Sequence, residues 1–253
     1  TTEEKNELIK TYPEVSRFIR RLTGSNEFLN NLDRWCIWVK ENEVEMAKKI
    51  EELKIRFEKI YKLRFNGNTL EKNFANFSFR FVQNREPKES QIIIPVVSSE
   101  RREYIPIGFL EKNVVVLNSA NVIFDAEIYI FGLISSKIHN IWVKTVAGRL
   151  KTDYRYTSGI CYNSFPFPNI TQKQKDEITE LVFTILDERE KHSQKTLAQL
   201  YDPDKMPEGL KKAHHNLDIA IEQCYRSKPF ESDEERLEYL FKMYEEMTNK
   251  EEK

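Results

Sequence analysis

Gly148-Arg149-Leu150-Lys151-Thr152-Asp153-Tyr154-Arg155-Tyr156, followed by Cys161-Tyr162-Asn163-Ser164-Phe165-Pro166-Phe167-Pro168, divides this 253-residue chain into two kinds of structure. The alternating prolines of residues 165–168 block helix and ladder pairing alike, and hold the residue before each proline extended. Every segment beyond them has helical periodicity, whereas helices and short β-runs are mixed before them. The expected fold class is therefore α+β: a mixed α/β domain over residues 1–168, then a small all-α domain over residues 169–253. The first half of the stretch reads as a strand at about 149–156, carrying Arg149, Lys151, Asp153 and Arg155 among tyrosines. Side chains two residues apart on a strand point the same way. Arg and Lys donate to guanine edges or phosphates and Asp accepts from cytosine N4, so the pattern suits reading a base pair. It also suits a surface strand with a salt bridge.

Outward from this stretch, residues 126–146 have helical spacing through Ile130, Leu133, Ile134, Ile138, Ile141 and Trp142. Residues 74–124 read as a sheet region. Phe77, Phe79 and Phe81 alternate there with Ser78, Arg80 and Val82, and Ile92-Ile93-Ile94 and Val114-Val115-Val116 form short apolar runs. Further back, residues 42–63 predict a charged helix, Arg34-Trp35-Cys36-Ile37-Trp38-Val39 a strand, and residues 13–22 a short helix with Pro13 in its first turn. A second strand is expected at 159–163. In the tail, Thr171 with Gln174 and Ser232 with Glu235 mark capping boxes that open helices to about 191 and 247, with a third from 207 to 226.

Charged residues make up 32% of the chain, yet 40 Lys+Arg against 41 Asp+Glu leave a net charge of −1. The distribution is uneven: residues 169–253 hold 14 basic against 20 acidic residues, leaving 26 against 21 in residues 1–168. A basic excess in one half is a hint of a polyanion-facing surface. Cys36, Cys161 and Cys224 are far apart, so no pair has metal-ligand spacing and a reduced, intracellular chain is the simplest reading. No apolar run reaches the length of a membrane span. The chain starts without Met in a charged stretch, and a segment of something longer is expected.

Catalytic motifs are sparse. Seven glycines form no G-x-G-x-x-G or P-loop pattern. Glu52-Leu53-Lys54 and Glu86-Pro87-Lys88 match only the tail of a nuclease motif, and Asn163-Ser164-Phe165-Pro166 has its proline in the wrong place for an adenine-methyltransferase motif. His139, His192, His214 and His215 read as packing or capping residues, not metal ligands. Ser98-Ser99-Glu100-Arg101-Arg102 leaves an apolar strand for a polar turn, where two hydroxyls and two guanidiniums suit a phosphate. An Arg–Glu pair stabilising the turn fits as well.

Taken in order, Gly24-Ser25-Asn26-Glu27-Phe28, residues 92–109, residues 132–142 and residues 148–168 resemble the target-recognition region of MmeI-type (type IIL) restriction-modification enzymes. Leu197-Ala198-Gln199-Leu200-Tyr201-Asp202-Pro203, Met206-Pro207 and Leu210-Lys211-Lys212-Ala213-His214 resemble the same family's C-terminal helical domain. The family fuses an adenine-N6 DNA methyltransferase to its own specificity domain, usually with a nuclease. The resemblance implies a sequence-specific duplex-DNA recognition fragment, itself non-catalytic. Methylation, and cleavage where a nuclease is present, would fall to domains outside this chain. It implies S-adenosylmethionine in the missing methyltransferase domain and no cofactor here. The implied partners are double-stranded DNA and an upstream methyltransferase domain of the same polypeptide, in the cytoplasm and away from membranes. Lys151 and Asp153 match the family's two reading positions and Arg155 a further one. Arg149, Ser98, Ser99, Arg101 and Arg102 are the other expected DNA contacts. The alternatives are a free-standing DNA specificity subunit and a helical protein-interaction scaffold.

Overall fold

A computed structural model describes residues 1–251, with side chains through residue 249. The chain divides into two compact units, residues 1–23, 32–88 and 111–115 in one, and residues 24–31, 89–110 and 116–253 in the other.

In the first unit, helix α1 (Thr2–Thr11) opens on a capping box made by Thr1 and Glu4. Strand β1 (Ile19–Thr23) pairs antiparallel with β2 (Trp35–Ile37), Arg20 opposite Cys36. The helix expected over residues 13–22 is instead a six-residue 3-10 helix, Pro13–Phe18, running into β1. Pairing with the 34–39 segment overrides local propensity: Trp38 N–H donates to the Phe18 carbonyl at 2.7 Å and Leu22 N–H to that of Arg34 at 2.8 Å. The expected 42–63 helix is broken into Val44–Ala47 and α2 (Glu51–Phe65). Ile50 between them is extended and buried, and it joins Val15, Phe18, Val39, Ala47, Leu53 and Phe57 in this unit's core. The alternating phenylalanines do not form a strand. Arg64 of α2 donates to the carbonyls of Phe74, Phe77 and Arg80 at 3.1, 2.8 and 2.9 Å, satisfying groups that a ladder would otherwise use. Arg80 stacks over Phe77 at 4.7 Å.

The second unit holds two small sheets and the helical tail. Strand β3 (Ser90–Pro95) pairs antiparallel with β6 (Ala120–Phe124), Ile93 opposite Val122, and β5 (Gly108–Glu111) flanks β3 on its other side. Ile92, Ile93 and Ile94 are all buried, which is why the run is continuous and not alternating. Strand β4 (Val97–Ser98) belongs to the second sheet, with β7 (Gly148–Leu150) and β8 (Asp153–Arg155), in the order β4-β8-β7. The expected helix at 126–146 is two: α3 (Ile128–Ser135) and α4 (Lys137–Val146). Ser136 breaks them with an extended backbone, and its Oγ accepts from His139 N–H at 3.4 Å. Residues 158–162 form one wide helical turn in place of the expected strand, seating Cys161 in the core.

The tail is helical as expected: α5 (Gln172–Glu190), α6 (Glu208–Tyr225) and α7 (Asp233–Glu251), with the Thr171–Gln174 capping box in place. A mixed α/β region followed by a helical region is thus the architecture. The proline junction changes the chain's structural type but does not divide its packing. Ile92, Trp142 and Phe165 share one hydrophobic core with Ile178, Val182, Leu217, Ile221 and Leu240. Arg189 of α5 donates to the Ile107 carbonyl at 2.8 Å.

The break between α3 and α4 presents the Lys137 N–H to Asp218 of α6, whose Oδ1 accepts it at 2.7 Å; Tyr104 OH donates to Oδ2 at 2.7 Å. Burial outweighs both bonds and raises the Asp218 pKa to about 7, with Glu222 and Glu103 adding to the shift. An acid raised above its unfolded value contributes stability that is complete below about pH 4 and is lost as pH rises towards 7. We expect the stability difference between wild type and Asp218→Asn to fall by roughly 4 kcal/mol across that window, a factor of ten in the folding equilibrium for each pH unit. Denaturant unfolding of both proteins at pH 4, 5.5 and 7.5 measures it, and a difference that does not vary with pH contradicts the assignment. His139 and His214 are wholly buried core residues hydrogen-bonded to Tyr156 and Tyr201 at 3.0 and 2.8 Å, and burial lowers the pKa of both.

Candidate nucleic-acid interface

The three-stranded sheet sets the geometry. Arg155 lies between Val97 of β4 and Gly148 of β7; Tyr154 lies between Ser98 and Arg149; Asp153 lies opposite Leu150. One face therefore carries Asp153, Arg155, Leu150 and the bare Gly148, and the other carries Tyr154, Arg149 and Ser98.

Lys151 and Thr152 form the turn between β7 and β8, so the extended segment expected at 149–156 is a hairpin. Lys151 has φ 58°. Thr152 is not in the left-handed region, so the positive φ falls on the first central residue alone, the pattern of a type II′ hairpin turn that glycine normally fills. A lysine there costs on the order of 1 kcal/mol. Lys151 and Asp153 accordingly do not share a strand face: Lys151 projects from the apex and Asp153 opens β8. The spacing-of-two rule applies instead to Asp153 and Arg155.

The eight expected contacts separate into free and engaged groups. The side chains of Lys151 and Arg155 are exposed and make no hydrogen bond or ion pair among the described residues. Arg149 braces the hairpin: its guanidinium lies 4.5 Å over the Tyr154 ring and donates to the Thr152 carbonyl at 2.9 Å and to Glu100 at 3.2 Å. Arg101 pairs with Asp204 at 2.6 Å, with both side chains about two-thirds exposed, so the bond is worth at most about 1 kcal/mol and is easily exchanged. Neither arginine of the Ser98–Arg102 segment pairs with Glu100. Arg102 is half-buried; burial lowers its pKa, while the carboxylates of Asp153 and Asp202 favour its charge. Ser99 Oγ accepts from Arg101 N–H at 3.4 Å and shapes the turn. Ser98 is buried and its Oγ has no partner among the described residues, so it does not offer a hydroxyl to solvent.

The basic excess of the N-terminal half is also partly committed. Lys137 pairs with Asp233 at 3.4 Å. Lys144 is half-buried, and burial lowers its pKa against the opposing influence of Glu103 and Asp233. A groove of about 370 Å³ lies in the first unit among Ile37, Phe57, Ile60, Phe79 and Phe81. Arg56, Lys59, Arg64 and Arg80 also line it, but no carboxylate, His or Cys does, so it offers no acid–base pair. Among the described residues no group of His, Cys, Asp and Glu could hold a metal ion, and no helix is long and apolar enough to cross a membrane.

The turn at Lys151 and the Glu100–Arg149–Tyr154 brace had no signal in the sequence. Leu150-Lys151-Thr152-Asp153 lacks the Asn-Gly or Gly-X signature of a two-residue hairpin, and Glu100 lies 49 positions from Arg149.

Comparison with known proteins bears on this surface. A family model described as MmeI, target recognition domain, matches residues 1–169, and one described as MmeI, C-terminal domain, matches residues 170–251. The chain is 44% identical over 253 residues to DNA methyltransferase A of Bacillus subtilis (strain 168), an alignment spanning 99% of this chain and 28% of that protein. Among solved structures, that of the type IIL restriction-modification enzyme MmeI in complex with DNA matches 98% of this chain with a TM-score of 0.93 and 37% identity, using 33% of its own chain. The chain thus spans about a third or less of the length of these relatives.

Proposed function

The chain belongs to the family of MmeI target-recognition and C-terminal domains, and from that premise we propose that it binds duplex DNA at a short sequence through the β7–β8 hairpin. The observation that carries the reading is Lys151. A long cationic side chain stands unpaired and exposed at the hairpin apex, in a left-handed conformation that favours glycine. The unpaired Arg155 lies four residues on, with Asp153 between them. Lys151 donates to the O6 and N7 of guanine and Asp153 accepts from cytosine N4, so together they read one G·C pair in the major groove. Arg155 reads a neighbouring position. Arg149 keeps the hairpin rigid, a requirement for reading edges within hydrogen-bond tolerance.

Residues 1–168 make the target-recognition part and residues 169–253 buttress it from the helical side. In the longer polypeptide of this family, an upstream methyltransferase domain would bind S-adenosylmethionine and transfer methyl to an adenine N6 on DNA positioned by this chain. Such chemistry requires extrusion of the adenine from the stack. A cytoplasmic location follows from the substrate.

Titration of labelled duplex with the 253-residue chain between 50 and 200 mM salt tests the proposal. Binding is expected to weaken steeply as salt rises. Arg155→Ala should relax preference at one base position with little change in the salt slope, because a lost phosphate contact would instead lower that slope by about one and weaken all sequences alike. Salt-independent binding, or none, contradicts the reading.

A further inference from the structure

A Cβ at Gly24, Gly67, Gly108, Gly132 or Gly209 would come within 3.0 Å of another heavy atom, which at Gly209 is only the movable carboxylate of Glu188. Gly148 has no such neighbour. A Cβ there would meet nothing within 4 Å, and its φ is not positive. It lies in strand β7 at the open side of the sheet order β4-β8-β7, where glycine only weakens the strand. A glycine inside a strand marks a bulge, a tight bend or the close approach of a ligand or another backbone, and the β7–β8 register runs without a bulge through Gly148. The same register says what approaches. Gly148 is directly opposite Arg155, which has half-buried Val97 on its other side. Across this level of the sheet the unpaired guanidinium of Arg155 is the one polar side chain, and the missing side chain at 148 leaves it unshielded. Lys151, also without a side-chain partner among the described residues, stands at the end of the same hairpin.

We propose that Gly148 is a contact residue for the DNA sugar-phosphate strand, which lies against the bare β7 backbone within van der Waals distance while Arg155 reaches past it. This rests on the duplex-binding reading above and adds a residue to it. The site takes a polyanionic backbone, not a base edge, because a glycine offers no side chain for readout.

The test compares duplex binding and unfolding of wild type, Gly148→Ala and Gly148→Val, with Gly159→Ala as a control, since a Cβ at Gly159 also meets nothing within 4 Å. Folding stability is expected to be unchanged or raised, valine being the better strand residue. Duplex affinity is expected to fall about tenfold for valine and less for alanine, equally for all sequences, with the preferred site unchanged and Gly159→Ala at wild-type affinity. Wild-type affinity in Gly148→Val overturns the inference. So does a loss of affinity accompanied by loss of stability, or one confined to particular sequences. Failure of the wild-type chain to bind duplex would overturn the functional reading beneath it, an outcome visible before any variant is made.

Discussion

A chain carrying Lys151→Glu and Asp153→Arg together is expected to select duplexes in which one G·C pair has reversed orientation. The apex would then present an acceptor where wild type presents a donor, and the start of β8 a donor where wild type presents an acceptor. Each good donor–acceptor match is worth roughly 1–3 kcal/mol of discrimination, about ten- to a hundredfold or slightly more. The two exchanged together should therefore move the preferred site and not merely blur it. The turn itself survives, because Glu is no more strained than Lys at φ 58°. Selection from randomised duplexes reads the outcome. An unchanged preferred site with uniformly weaker binding would assign both residues to the DNA backbone and leave base reading to Arg155.

Phe165→Ala is expected to destabilise the chain by about 3–5 kcal/mol, the cost of removing a fully buried aromatic ring from a packed core. Phe165 is 1% exposed. It packs edge-on against His139 and Phe167 at centroid distances of 4.5 and 4.9 Å, and lies 6.2 Å from Trp142. The loss is a large fraction of a typical domain's stability. Because the same core includes Ile178, Val182 and Leu217, one cooperative transition should shift for the sheet and for the helical tail together. Denaturant unfolding followed by near- and far-ultraviolet circular dichroism measures it. A loss under 1 kcal/mol, or a tail that melts separately, would make the proline junction a packing boundary after all.

The helical tail was legible in the sequence because its signals are local. Thr171–Gln174 and Ser232–Glu235 cap within four residues, and Ile178, Val182 and Ile185 recur at helical steps. The buried strand 92–94 was legible from composition for the same reason. What was illegible depends on distant partners. Residues 19–23 are a strand because of residues 34–38, and residues 74–80 are held out of a ladder by Arg64. Residues 128–146 break where Ser136 and Asp218 require it. At the candidate site, periodicity could place Asp153 and Arg155 on one strand face but could not foresee the turn that removes Lys151 from it. Nor could it sort free cations from engaged ones, since the partners of Arg101 and Arg149 lie 103 and 49 positions away. The family resemblance, which rested on ordered blocks and not on periodicity, pointed to this segment as a strand and not as the hairpin that it forms.

If Lys151 reads a guanine edge as proposed, binding depends on a single N7 atom, which base substitution removes. Each guanine of the selected duplex is replaced in turn by 7-deazaguanine, which keeps pairing but removes the N7 acceptor, and binding by wild type and Lys151→Ala is compared. One guanine should stand out: its substitution weakens wild type about tenfold or more and leaves the already weaker Lys151→Ala unchanged. Equal losses in both proteins at every guanine, or no loss at any, would contradict the claim.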